Sequence, residues 1–79
     1  MSQSTSMHGI VIKHDGDVPR GLSYLDEKWN DAEVREIFDN ARKSTDQDSH
    51  FQAYINGKIQ HYILKHTGYD EYFLKPRIF

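Results

Sequence analysis

Asn56-Gly57 stands between two stretches whose residues alternate in polarity, Phe51-Gln52-Ala53-Tyr54-Ile55 before it and residues 58–65 after it. Asn-Gly supplies the positive φ angles that tight hairpin turns demand, and period-two alternation marks a half-buried strand. The segment is therefore predicted to be a β-hairpin, which needs a second layer to cover its apolar face. That layer is encoded upstream, where Val34, Ile37, Phe38 and Ala41 fall at i, i+3, i+4 and i+7, one face of a 3.6-residue period. Asn30 fits as N-cap of this helix with Glu33 three residues on as capping-box partner. Arg42 and Lys43 fall in the last turn, where cations complement the helix dipole. Ser23, with Asp26 three residues later and Leu25 and Trp29 at i, i+4, allows a helical turn or short helix before the main one.

The remaining punctuation divides the chain further. Gly9-Ile10-Val11-Ile12-Lys13 is short and β-branched and reads as a first strand, whereas residues 15–21 hold an Asp-Gly pair and Pro19 and read as loop. Residues 44–49 are a solvated loop by composition, and His66-Thr67-Gly68 is a turn into a last strand over 69–75, which Pro76 must stop or confine to an edge. Residues 1–7, rich in Ser and without periodicity, are expected to be a disordered tail. The predicted order is β-α-β-β-β, an α+β fold in which a three- or four-stranded, largely antiparallel sheet carries one main helix on one face. Residues 8–79 make one domain, because a chain of 79 residues buries only about 60 % of its unfolded surface and supports one core. That core takes the four helix residues with Ile10, Ile12, Phe51, Ile55 and Leu64.

One helix covers one face of a sheet, so the other face should be polar. It is not. With a two-residue turn, Phe51, Ala53, Ile55, Tyr62 and Leu64 share one face and His50, Gln52, Tyr54, Ile59, His61 and Ile63 share the other. A bulged turn groups Phe51, Ala53, Ile55, Ile59, His61 and Ile63 instead and sends Tyr54, Tyr62 and Leu64 to the opposite side. Either register leaves at least three large apolar or aromatic side chains on the second face. Residues 15–29 can fold over it with Leu22, Tyr24, Leu25 and Trp29, a partner can cover it, or it can lie open as a platform.

Composition removes several function classes. There is no cysteine, hence no disulfide framework, thiolate nucleophile or Cys-based zinc site, in keeping with a reducing compartment and a cytoplasmic location. The longest uninterrupted apolar runs are three residues, so no membrane span is expected, and the polar start has no signal-peptide pattern. Gly-x-Ser-x-Gly, Gly-x-Gly-x-x-Gly and phosphate-loop patterns are absent, and no His-Glu-x-x-His occurs. Five histidines make metal or acid–base chemistry worth testing: a composite site of His14, Asp15 and Asp17 with a further histidine, or the pair His50 and His61 on one strand face. The ordinary roles of such residues, capping loop backbone and lining a half-exposed strand, weigh more, and no cofactor or metal is assigned.

Charge is unevenly placed. Residues 1–49 carry 6 Lys+Arg against 10 Asp+Glu, and residues 50–79 carry 4 against 2, with seven of the ten aromatics. Basic residues interleaved with aromatics on a sheet are what single strands of nucleic acid bind. The leading expectation is a small non-catalytic protein-interaction domain, self-associating or binding a protein partner through the second sheet face or an edge strand, with Tyr54, Ile59, His61, Tyr62 and Ile63 as its surface. The alternative is a nucleic-acid-binding module contacting its ligand with Lys58, Lys65, Tyr69, Tyr72, Lys75 and Arg77. A third reading is a small hydrolase, such as a ribonuclease with a strand histidine as acid or base.

Overall fold

The computed structural model describes residues 3–15 and 18–77. Two hairpins rest on the same turn chemistry. His8 and Gly9 have φ of 48° and 84°, and Asn56 and Gly57 have φ of 53° and 77°, the paired left-handed conformations of a two-residue type I′ turn. The first turn joins β1 (Gln3–Met7) to β2 (Ile10–His14), and the second joins β3 (Ser49–Ile55) to β4 (Lys58–Gly68), each pair antiparallel. The last strand, β5 (Glu71–Pro76), lies between the hairpins, antiparallel to β4 and parallel to β2, so the sheet runs β1-β2-β5-β4-β3. Two helices, α1 (Pro19–Glu27) and α2 (Ala32–Lys43), occupy the connection from β2 to β3.

Both helices pack on the same face of the sheet. Alternation turns Ile12, Phe51, Ala53, Tyr62, Leu64, Tyr72 and Leu74 inward, where they meet Leu25 and Tyr24 of α1 and Val34, Ile37, Phe38 and Ala41 of α2 in a single apolar cluster. Gly21 of α1 crosses the Tyr62 ring so closely that a Cβ there would stand 2.9 Å from a ring carbon. The Phe38 ring meets Tyr72 edge-on at 5.0 Å between centroids, and Arg42 donates to the Tyr72 hydroxyl at 3.2 Å. Burying each large side chain of this cluster contributes roughly 1.5–3 kcal/mol. The one buried polar side chain among the described residues is His14, whose Nε2 lies 3.0 Å from the Thr5 hydroxyl across the first hairpin. That hairpin is fastened to the helices at its tip: the His8 ring stacks on Trp29 at 4.5 Å, and its Nε2 lies 2.7 Å from Oδ1 of Asp26.

The α+β class stands, with corrections. Among the described residues there are five strands in a mixed sheet rather than three or four antiparallel ones, and two helices rather than one. Residues 3–7 form β1, not a tail, because Ser and Thr pair as well as other residues once a hairpin turn aligns them with β2. Residues 1 and 2, residues 16 and 17 of the expected Asp-Gly turn, and Ile78-Phe79 lie outside the described residues. Residues 19–27, expected as loop and at most a short helix from Ser23, are α1 from Pro19 onward, proline being well suited to a first helical position because its missing N–H has no partner there. Asp31, not Asn30, is the N-cap of α2 and makes no side-chain capping bond. Glu33 is thereby displaced from the capping-box position, and its carboxylate accepts from the Tyr24 hydroxyl at 3.3 Å. Pro76 stops the last strand, one of the two alternatives expected of it, and does so in an interior strand at a point where the parallel partner β2 has already ended at His14.

Candidate functional site

The β3–β4 register pairs Phe51 with Tyr62 and Ser49 with Leu64, the two-residue-turn arrangement. It fixes what the second face carries. Since α1 packs with α2 on the other face, the described part of the 15–29 segment does not cover this one, and the described residues leave it open. Five cross-strand rows compose it, one of them running Ser6, Val11, Glu71 and the other four as follows. The first runs Ser4, Lys13, Phe73, Lys65, the second Lys75, Ile63, His50, the third pairs His61 with Gln52, and the fourth pairs Ile59 with Tyr54. Tyr54 and Ile59 are 67 % and 55 % exposed, and Ile63, Phe73 and Val11 are half-buried by their neighbours within the sheet alone. Val11, Phe73 and Ile63 thus form one apolar group and Ile59 with Tyr54 a second, separated by the polar His61–Gln52 row and bordered by cations.

Those cations differ in their engagement. Lys13 Nζ lies 2.8 Å from Oε1 of Glu71, and Lys75 Nζ lies 3.7 Å from Oδ2 of Asp48. Lys65 has no ion-pair partner among the described residues and flanks Phe73 on one side as Lys13 does on the other. Arg77, whose backbone N–H donates to His61 at 3.0 Å, is near enough to His50 for its charge to act on that ring.

His50 and His61 come together as the shared strand face required. Nε2 of His50 lies 3.1 Å from Nδ1 of His61, with rings stacked at 5.3 Å and 17°. One ring must donate and the other accept, so the pair keeps at least one ring neutral. His50 titrates below the ordinary 6.5 because partial desolvation, then the charges of Arg77 and His61, disfavour its cation. No group of three His, Cys, Asp or Glu side chains suited to a metal occurs among the described residues. The composite of His14, Asp15 and Asp17 is not assembled: His14 is inward and bonded to Thr5, and Asp17 is outside the described residues.

The expected surface residues divide. Tyr54, Ile59, His61 and Ile63 lie on the open face, whereas Tyr62 is 5 % exposed beneath α1, because its even position in β4 points toward the helices. Among the expected nucleic-acid contacts, Lys65 and Lys75 share the open face and Arg77 adjoins it. Tyr72 is 1 % exposed in the core, tied to Arg42 and Phe38. Lys58 is exposed beside the hairpin turn, and Tyr69 is 92 % exposed in the β4–β5 turn, apart from the rows of the face. Lys13 and Phe73 were not legible as site residues. Alternation around Tyr72 and Leu74 is a signal for Phe73, but nothing local predicts that β2 lies beside β5 and brings Lys13 to it.

Clefts lie on the helix side, away from the histidine pair, among them one of about 430 Å³ lined by Pro19, Arg20, Gln60 and Tyr62. One of about 270 Å³ is lined by Trp29, Val34, Arg35, Phe38, Asp39 and Arg42. Another of about 370 Å³ separates α1 from the end of β3, with Arg20, Glu27 and Lys28 facing Tyr54, Ile55 and Asn56. No helix among the described residues is long and apolar enough to cross a membrane. No family model, no curated protein and no solved structure matches the chain.

Proposed function

We propose that this chain is a small non-catalytic interaction domain whose working surface is the uncovered face of its sheet, engaging a protein partner, a second copy or another chain. The observation that carries this reading is that both helices are committed to one face while Tyr54, Ile59, Ile63 and Phe73 remain on the other. Apolar side chains left uncovered on one face of a small domain mark a place where another macromolecule can pack. Sedimentation equilibrium at about 0.1 and 1 M salt tests it, since apolar contact is not screened by ions. Association of the wild type should survive high salt. Ile63→Asp, which places a carboxylate on the open face without entering the core, should abolish association while far-UV circular dichroism stays unchanged. A complex indifferent to Ile63→Asp would refute the face as the site.

A second reading draws on one specific arrangement, Phe73 held between Lys13 and Lys65. A ring flanked by two cations suits a nucleic-acid base with its adjoining phosphates, and stacking on such a ring contributes about 1–3 kcal/mol per base. Here Phe73→Ala should weaken binding of a single-stranded oligonucleotide roughly 5- to 150-fold, and affinity should fall steeply with salt. Salt-independent binding, or none, removes this reading.

A further inference from the structure

We infer that the edge of β3 is a self-complementary seam through which two copies of the chain join their sheets. This rests on the reading of the chain as an interaction domain for the class of partner, but backbone groups at the edge carry it, not the open face. Because the Asn56-Gly57 turn closes on the pair Ile55 and Lys58, the alternate residues Ser49, Phe51, Ala53 and Ile55 direct N–H and C=O toward β4. His50, Gln52 and Tyr54 direct theirs away from the sheet, and residues 49–55 make no backbone bond to any other described segment. A strand edge left in this state is a template for another strand.

The strand also lacks the usual deterrents. Ser49–Ile55 contains no Lys, Asp, Glu, Pro or Gly, and it is longer than the opposite edge strand, Gln3–Met7. A two-fold axis through Gln52 sets it antiparallel to itself, His50 facing Tyr54 of the second copy and Gln52 facing Gln52. These are three pairs, each exchanging two backbone hydrogen bonds. On the helix side Phe51 faces Ala53 of the second copy, large against small. The product is a ten-stranded sheet whose two open faces are continuous.

Charge swapping at the axis tests the seam. Gln52 is exposed, so Gln52→Lys and Gln52→Glu leave the fold intact, but each opposes like charges across the two-fold. In sedimentation equilibrium across micromolar to millimolar concentrations, the wild type should dimerise and each variant alone should dissociate at least about tenfold more readily. An equimolar mixture of the two variants should recover the wild-type association, which a merely misfolded variant does not do. A wild type that stays monomeric throughout overturns the seam. So does a dimer unmoved by either Gln52 variant; if Ile63→Asp then dissociates it, the open face is the interface and the interaction reading stands without the seam. Species larger than a dimer indicate head-to-tail joining of β1 to β3 and also overturn it.

Discussion

His50 is the side chain whose ionisation is most directly set by its neighbours on the open face. Its folded pKa lies below the unfolded value, so its contribution to stability is fully present above about pH 6.5. That contribution is lost as pH falls through the lower folded value, where the unfolded chain binds the proton more readily. In an NMR titration the His50 ring should protonate below the ordinary histidine range, and Arg77→Ala should move it part of the way back by removing one of the three causes. Gly21 poses an opposite kind of constraint. Alanine is normally the better helix residue by about 1 kcal/mol, but here its Cβ would press on the buried Tyr62 ring at 2.9 Å, and overpacking costs roughly 1–3 kcal/mol. Gly21→Ala should therefore lower stability in urea melts, and a Tyr62→Leu background should reverse the sign. Neither Tyr62 nor Tyr72 was assignable to the core from its type, because a tyrosine in an alternating strand suits either face and only the register decides.

Among the segments, α2 and the β3–β4 hairpin were legible because their signals are local. Four apolar residues at helical spacing and an Asn-Gly turn with matched alternation leave few alternatives. Phe38, 3 % exposed and in edge contact with both Trp29 and Tyr72, should cost about 3–5 kcal/mol on replacement by alanine. Asn30→Ala should cost less than about 0.5 kcal/mol, since Asp31 holds the cap position; a loss near 1 kcal/mol in urea melts would place the cap at Asn30 after all. β1 and α1 were not legible, for reasons of chemistry. Gln3-Ser4-Thr5-Ser6 has no apolar alternation, His-Gly is an uncommon pair for a turn with two positive φ angles, and Pro19 and Gly21 read as loop residues although one begins a helix and the other lets it approach the sheet. The open face was anticipated from β3 and β4, but its β2 and β5 half depends on a pairing between residues about sixty positions apart.

The strand order gives β5 a role out of proportion to its length. β1 and β2 pair with the rest of the sheet only through β5, and β3 and β4 meet them only across it. A chain cut after Gly68 should lose its cooperative unfolding transition, and amide exchange should show no protection in Ile10–His14, because an isolated two-stranded hairpin is marginal in water. Persistence of protection there would mean that the helices alone hold the first hairpin. Contacts between such distant segments must be closed before they stabilise anything, which places folding of this domain among the slower small domains rather than with helical bundles.

Synthesis runs from β1 toward β5, so the first hairpin and both amphipathic helices are made before the strand that unites them exists. Delivery of the 33 residues between Lys43 and Pro76 takes roughly 2–7 s at about 5–20 residues per second. Throughout that interval Ile12, Val34 and Phe38 have no completed sheet to close on, so the single core cannot form until the last strand has been added.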